Sequence, residues 1–338
     1  MTSPNYAPMT LSVGTPLQAR VPGDVIPFAR LAEASRGQRM WFGNSGLLDS
    51  QSLIAYFVGK GIEISYASGV ALTPLRHPYD AALTARSIAA LSGRRYTAGF
   101  GPATPAFVRA LRADAYRSPK AAAAEFATIV GRLCAADGVV TFHGEYFTQR
   151  DLPAFEPGPE VEVGLGVIRP SMARTTGSVA DVAISWLTSP AYLTATLLPA
   201  LREGAREAGR PVPRLATLVQ VAVRRPGRDP AVLADSAAGL HLRGAHYRDM
   251  LRRSGLTLSG VDALDDAREL VDRGIFLYGS PEEIADRLRE YHACGVGELV
   301  VKTTGVQVTE GLRAAVDDLV AVFAAADQLR PGTASVRT

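Results

Sequence analysis

The chain has 338 residues, 47% of them hydrophobic and 20% charged, which is a globular composition of a length suited to one α/β barrel. Its 36 basic and 33 acidic residues leave a formal charge of only +3 spread along the chain, so the electrostatic footprint of a nucleic-acid binder is absent. No apolar run approaches the roughly 20 residues that span a bilayer, and MTSPNYAPMT has neither a basic start nor an apolar signal core, so a soluble cytoplasmic protein is expected.

Taken in order, residues 9 to 17, MTLSVGTPL, read as a first buried strand with Gly14 and Thr15 at its carboxyl end. DVIPFARLAEASRG follows as a helix, RMWFGN as strand two, and SLIAYFVGKG as a helix capped by Asp49 or Ser50. Residues 62 to 101 then read as strand, Pro-bounded turn, Ala-rich helix and strand, a unit of the kind that joins parallel strands three and four in a right-handed sense. A short helix, PATPAFVRALRADA, and a longer one opened by Ser118 and Pro119 come next. GVVTFHGEYFT alternates about a central Gly and predicts an inserted β-hairpin.

VEVGLGVI (161 to 168), DVAISWL (181 to 187) and RLATLVQVAVRR (214 to 225) are strands five, six and seven, with helices PSMARTTGSVA and SPAYLTATLLPALREGAREAG between them. Residues 226 to 274 form a charged helical stretch too long for a plain crossover, read as a lid or interface insertion. SPEEIADRLREYHACG, capped by Ser280, leads to strand eight, ELVVKTTG, and VTEGLRAAVDDLVAVFAAADQL closes the chain before a flexible tail at 331 to 338. Eight strands alternating with helices, without a break in composition, predict one (β/α)8 TIM barrel over residues 1 to 330 with insertions after strands four and seven; a flat doubly wound sheet is the alternative. Cys134 and Cys294, in Ala-rich helical patterns without a CxxC pair, read as buried thiols rather than a disulfide or a zinc site.

Three stretches carry a family resemblance. SGVALTPLRHP followed by ALTARSIAALSGRRYTAGFG is similar to the signature of the luciferase-like flavin and deazaflavin oxidoreductases, FLYGSPEEIADRLREYHACGVGELVV (276 to 301) resembles their last helix and strand, and MWFGNS (40 to 45) the end of their second strand. The resemblance implies a TIM barrel that binds coenzyme F420, or alternatively FMN, at the carboxyl ends of its strands. It also implies a non-proline cis peptide at Gly69 and Val70 that backs the cofactor ring, and a phosphate-binding turn after strand five at Gly166, Val167, Ile168 and Arg169. Ser171 could cap or donate there, and Arg169 and Arg174 would favour an anion.

Other candidates come from position and composition. Gly14, Thr15 and the glycine-rich GFGPATP, with Gly99, Gly101 and Thr104, allow close backbone approach to a ligand. Asn44 and Ser45 stand where many deazaflavin members carry an acidic residue and a histidine; neither is a competent acid or base near neutral pH, although both hydrogen-bond. Tyr66, Trp186 and Lys302 are candidate pocket walls, His246 and Tyr247 could close over a substrate, and His77 and Asp181 read as structural. No GxSxG, HExxH, P-loop or GxGxxG occurs, so hydrolase, zinc and kinase readings lack their parts and no metal is expected.

The resulting expectation is an F420H2-dependent reductase that delivers hydride to an electron-poor C=C or C=N bond of a small molecule or modified peptide. It would act as a homodimer, possible contexts including natural-product biosynthesis. An FMN-dependent monooxygenase and a cofactor-less, non-enzymatic barrel are the competing readings.

Overall fold

The computed structural model describes residues 9–15, 19–44, 48–112, 114–135 and 138–330. Ser45 and the expected tail at 331–338 lie outside the described residues. The strands are β1 Leu11–Gly14, β2 Arg39–Phe42, β3 Ser65–Ser68, β4 Ala71–Leu72, β5 Tyr96–Gly101, β6 Val139–His143, β7 Thr148–Pro153, β8 Val161–Gly166, β9 Val182–Trp186, β10 Arg214–Val223, β11 Phe276–Gly279 and β12 Glu298–Lys302.

The main sheet runs in the order β10-β12-β1-β2-β3-β5-β8-β9, and β9 pairs again with β10, so the order closes as an eight-stranded parallel barrel. The registers are parallel, with Leu11 opposite Leu299, Ala216 opposite Glu298, Tyr96 opposite Val161 and Gly164 opposite Val182. A doubly wound sheet would end in two open edges and is excluded. Near-continuous apolar runs such as LVV in β12 suit strands covered on both faces, and Leu299, Val300 and Val301 are fully buried.

Expected caps are in place. Asp49 accepts from the Ser52 N–H at 2.8 Å, Ser118 from Ala121 at 3.2 Å, and Ser280 and Glu283 form a reciprocal capping box. Two expected elements are interrupted. The helix after β9 passes through a π-helical stretch, Leu193–Leu197, next to Pro199, which has no N–H to donate. The closing helix is split into Thr304–Glu310 and Leu312–Ala325 by Gly311, whose φ of 94° is open to glycine and costly for other residues.

Both insertions are present. The hairpin pairs β6 with β7 antiparallel, and residues 226–274 fold as helices Pro230–Leu242, Ala245–Arg253 and Ala263–Asp272. Strand β11 was not expected. The pairing of β12 along β10 stops at Gln220 opposite Lys302, and β11 continues it from Gln220 opposite Phe276 to Val223 opposite Gly279. Ten residues of β10 outlast five of β12, and FLYG uses the remaining backbone groups. Cys134 and Cys294 are half-buried rather than buried, and both are free thiols. No described helix is long and apolar enough to cross a membrane.

The contacts group the chain into two units, Met1–Met40 with Ser185–Leu198 and Leu215–Thr338, and Trp41–Ile184 with Pro199–Arg214. In the first, the fully buried Asp318 accepts from the Val223 N–H at 2.9 Å and pairs with Arg225 at 2.9 Å and Arg228 at 2.6 Å. This carboxylate anchors the chain where it leaves β10 for the insertion. In the second, Glu162 takes the Thr97 hydroxyl at 2.7 Å, Arg95 at 3.3 Å and Arg214 at 2.9 Å, tying together the amino ends of three strands.

Removing a buried ion partner strands its cations. Asp318→Ala is expected to lower the unfolding free energy by about 3 kcal/mol, and Asp318→Asn, which keeps an acceptor for Val223, by less; urea titration of the two variants checks the order.

Candidate active site

In the second unit, adjacent strands end without side chains. Gly43 follows β2, Gly69 follows β3, and Gly101 and Gly166 end β5 and β8. The Gly69–Val70 peptide is cis, as the resemblance implies. The Gly69 N–H donates to the Phe42 carbonyl at 2.8 Å, which fixes the strand end against β2. Val70 then stands among the glycines: a Cβ on Gly101 would lie 2.7 Å from its Cγ2, and one on Gly166 would lie 3.5 Å from its Cγ1. Gly43, Gly69, Val70 and Gly166 are each half-buried. The result is a shelf of backbone topped by one branched aliphatic side chain, a surface suited to the face of a planar ring.

The glycines of β5 play a different part from the one expected. The space beside Gly99 is filled by the Ser68 carbonyl and the Ile184 side chain, and Gly101 makes room for Val70, so both admit protein atoms rather than a ligand. Thr104 is the N-cap of helix Pro105–Leu111, with its hydroxyl accepting from the Phe107 N–H at 3.2 Å. The Val167 N–H is also committed, to the Ile184 carbonyl at 2.8 Å, which removes it from the expected phosphate turn. Ile168 and Arg169 lead into helix Pro170–Val179, and Ser171 is exposed in its first turn. Arg174 is held by Glu203 and Glu207 on the surface and is not available to a neighbouring anion.

Asn44 is exposed on the rim of a cleft it shares with Asp49, Leu72 and Arg76, where Asp49 and Arg76 pair at 3.1 Å. Tyr66 is no pocket wall: it is fully buried, its ring lies 6.1 Å from that of Phe42, and its hydroxyl donates to the Ile62 carbonyl at 2.9 Å. His77 and Asp181 are structural as read. His77 accepts from the Tyr79 N–H at 3.2 Å, and Asp181 bridges the Val163 N–H and Arg210, each at 2.9 Å.

In the first unit, the remaining wall candidates do meet. The Trp186 ring at the end of β9 is edge-on to His241 at 5.5 Å, His241 is edge-on to Tyr247 at 5.0 Å, and Tyr247 lies 4.3 Å from His246. Gly14 lets the stem of Lys302 cross the end of β1, since any side chain there would overlap the Lys302 Cγ; Thr15 beside it is buried. Lys302 is only 6% exposed, and burial pushes its ammonium down to about 8. Burial first, then the Lys302 charge and His246, hold the His241 imidazole down to about 4, so it is neutral at pH 7. Burial likewise pushes the Tyr247 phenol up to about 12.

Gly164, Ile184 and His241 were not singled out from the sequence. Gly99 and Gly164 are opposite one another, and both make room for the Ile184 side chain. The signal was present as G-x-G in YTAGFG and again in VEVGLG, two strands that carry glycine at the same period-2 positions. His241 lies in an insertion helix whose facing partner no local pattern reveals.

The fold is a closed parallel α/β barrel, the architecture in which sites are built at the carboxyl ends of the strands. The family model described as luciferase-like monooxygenase matches residues 6–298, and the chain belongs to that family of oxidoreductases. Over 86 residues it is 37% identical to the F420-dependent glucose-6-phosphate dehydrogenase of Nakamurella multipartita, and the match spans 25% of this chain and only 25% of that relative's length. The fold is shared with an F420-dependent secondary alcohol dehydrogenase in complex with an F420–acetone adduct, at TM-score 0.75 and 18% identity over 94% of this chain and 99% of that one. It is shared also with the oxygenating constituent of 3,6-diketocamphane monooxygenase from the CAM plasmid of Pseudomonas putida, a type II Baeyer–Villiger monooxygenase in complex with FMN, at TM-score 0.68 and 18% identity over 96% and 100% of the chains.

The Lys302 shift sets a pH dependence. The folded chain releases this proton near pH 8, whereas the unfolded chain holds it to about 10.5, so the unfolded state binds more protons in between and stability rises with pH through that window. The unfolding midpoint of the wild type is expected to gain on that of Lys302→Met between pH 7.5 and 10, as measured by urea titration at both pH values.

Proposed function

We propose that this chain is an F420H2-dependent reductase whose deazaflavin ring lies on the Val70 shelf. The single observation that carries the reading is that shelf, where Gly101 and Gly166 make room for Val70 and Gly69 lies against the Trp41 ring. The F420-dependent relative and the F420-bound structural neighbour support the choice of deazaflavin over flavin. When bound, the reduced ring supplies hydride from its C5 to an electron-poor C=C or C=N bond, and the protein supplies orientation and exclusion of water.

The residues present fit such a group. Val70 offers an apolar face to the ring, and Gly166 leaves room beside it. A phosphate would be held at the start of helix Pro170–Val179, beside Ile168, Arg169 and Ser171, and not by the Val167 N–H, which is committed to Ile184. Asn44 hydrogen-bonds but supplies no proton near neutral pH, so a proton for the reduced product comes from another group or from solvent. The substrate is a small molecule or modified peptide.

Titration of the purified protein with F420 and with FMN tests the reading. Saturable quenching of F420 fluorescence in the micromolar range is expected. Quenching of FMN alone, with oxygen-dependent turnover, supports the flavin monooxygenase reading, for which the FMN-bound neighbour speaks, and binding of neither supports a non-enzymatic barrel.

A variant locates the ring. A Cβ at Gly166 meets only ordinary contacts at 3.5 Å and 3.7 Å, so a larger residue is tolerated by the fold yet projects beside Val70. Gly166→Leu is expected to weaken F420 binding by about tenfold or more, a loss of roughly 1.4 kcal/mol, with a thermal midpoint close to that of the wild type.

A further inference from the structure

We propose that Lys302, Trp186 and His241 form a receptor for an oxyanion, a carboxylate or phosphate oxygen, which the Lys302 ammonium holds with help from the two ring N–H groups. The proposal names the substrate chemistry of the site and rests on the oxidoreductase reading for the reaction it would serve.

Three observations converge. Lys302 is 6% exposed and has no ion pair or hydrogen bond among the described residues. Its neighbour in register, Gln220, is turned elsewhere, with its amide donating to the Thr304 hydroxyl at 2.9 Å and its carbonyl accepting from the Thr304 N–H at 3.0 Å. Trp186 Nε1 and His241 Nδ1 are both buried without a hydrogen-bond partner among the described residues. The two rings are 5.5 Å apart, and His241 lies within the field of the Lys302 charge.

An ammonium and an indole N–H only donate, and a neutral imidazole has one N–H to give. Buried polar groups left without a partner are costly unless an acceptor completes them, and a buried cation calls for a negative one. No carboxylate of the described residues does so. Glu298, on the same strand, pairs with Arg39 at 3.2 Å and accepts from the Ser12 hydroxyl at 2.5 Å. Tyr247 and His246 complete the aromatic wall, and the Tyr247 phenol stays neutral through the working range. A small stem-accommodating residue at Gly14 is what lets Lys302 occupy this position at all.

The indole N–H reports directly. The chain has two tryptophans, Trp41 and Trp186, so an amide-type nitrogen–proton correlation spectrum holds two indole signals, assigned with Trp186→Phe. Acetate and inorganic phosphate, each compared with sodium chloride at equal ionic strength, are expected to move the Trp186 signal saturably in the wild type. Lys302→Met should abolish the movement and Lys302→Arg should retain it, with an unmoved Trp41 signal showing that each variant is folded; Lys302→Gln replaces the Met variant if that one does not fold. Absence of saturable movement in the wild type, or equal movement in the folded Lys302→Met or Lys302→Gln protein, overturns the receptor. Repeating the titration on protein saturated with the cofactor it binds separates the sources: persistence assigns the oxyanion to the substrate, and loss assigns it to the cofactor, overturning the phosphate seat at Ile168, Arg169 and Ser171. The titration itself needs no cofactor. A protein that binds neither F420 nor FMN but answers to acetate therefore overturns the proposed function alone, and one that binds a cofactor but answers to neither anion overturns the receptor alone.

Discussion

The omission of side chains at the ends of β3, β5 and β8 is the constraint on which the candidate site depends. In a parallel barrel the carboxyl ends of the strands form the rim at which sites are built, and the residue at each strand end decides whether that rim is walled or open. Here Gly101 and Gly166 leave room for Val70, and Gly69 leaves room for the Trp41 ring beside it. Gly99 and Gly164 act one layer deeper, where Ile184 packs against both and supports the layer above. The glycine content of these strands is thus a packing arrangement as much as a ligand site.

The first unit uses the same device to a different end. Gly14 gives its space to the stem of Lys302, and the ammonium is carried into apolar surroundings with no carboxylate partner among the described residues. Two other buried charges are closely paired: Asp318 has Arg225, Arg228 and the Val223 N–H, and Glu162 has Thr97, Arg95 and Arg214. Lys302 has no such partner among the described residues, and an isolated buried charge opposes folding.

Much of the fold was legible because its signals are local. The strands are short apolar runs bounded by Gly and Pro, and Asp49, Ser118, Ser189 and Ser280 cap the helices that follow them. The cis peptide came from likeness to a family rather than from any local rule. What was not legible depends on partners far away in sequence. Tyr66 looked like a wall because it is aromatic and near a strand end, but the side chains of a strand alternate, and its position faces Phe42 and the Ile62 carbonyl. β11 escaped notice because FLYG is a strand only where β10 outlasts β12. Val167 and Thr104 read as ligand-facing from the turns they occupy, but β9 takes the Val167 N–H and a helix start takes the Thr104 hydroxyl. His241 joins Trp186 through an insertion helix that carries no motif.

The seat proposed for a planar redox ring is Val70, and a crystal structure of the protein with its cofactor puts it to the test: the face of the ring is expected in van der Waals contact, about 3.5 to 4 Å, with the Val70 methyl groups. A ring bound elsewhere, with Val70 covered by protein or solvent, would contradict it.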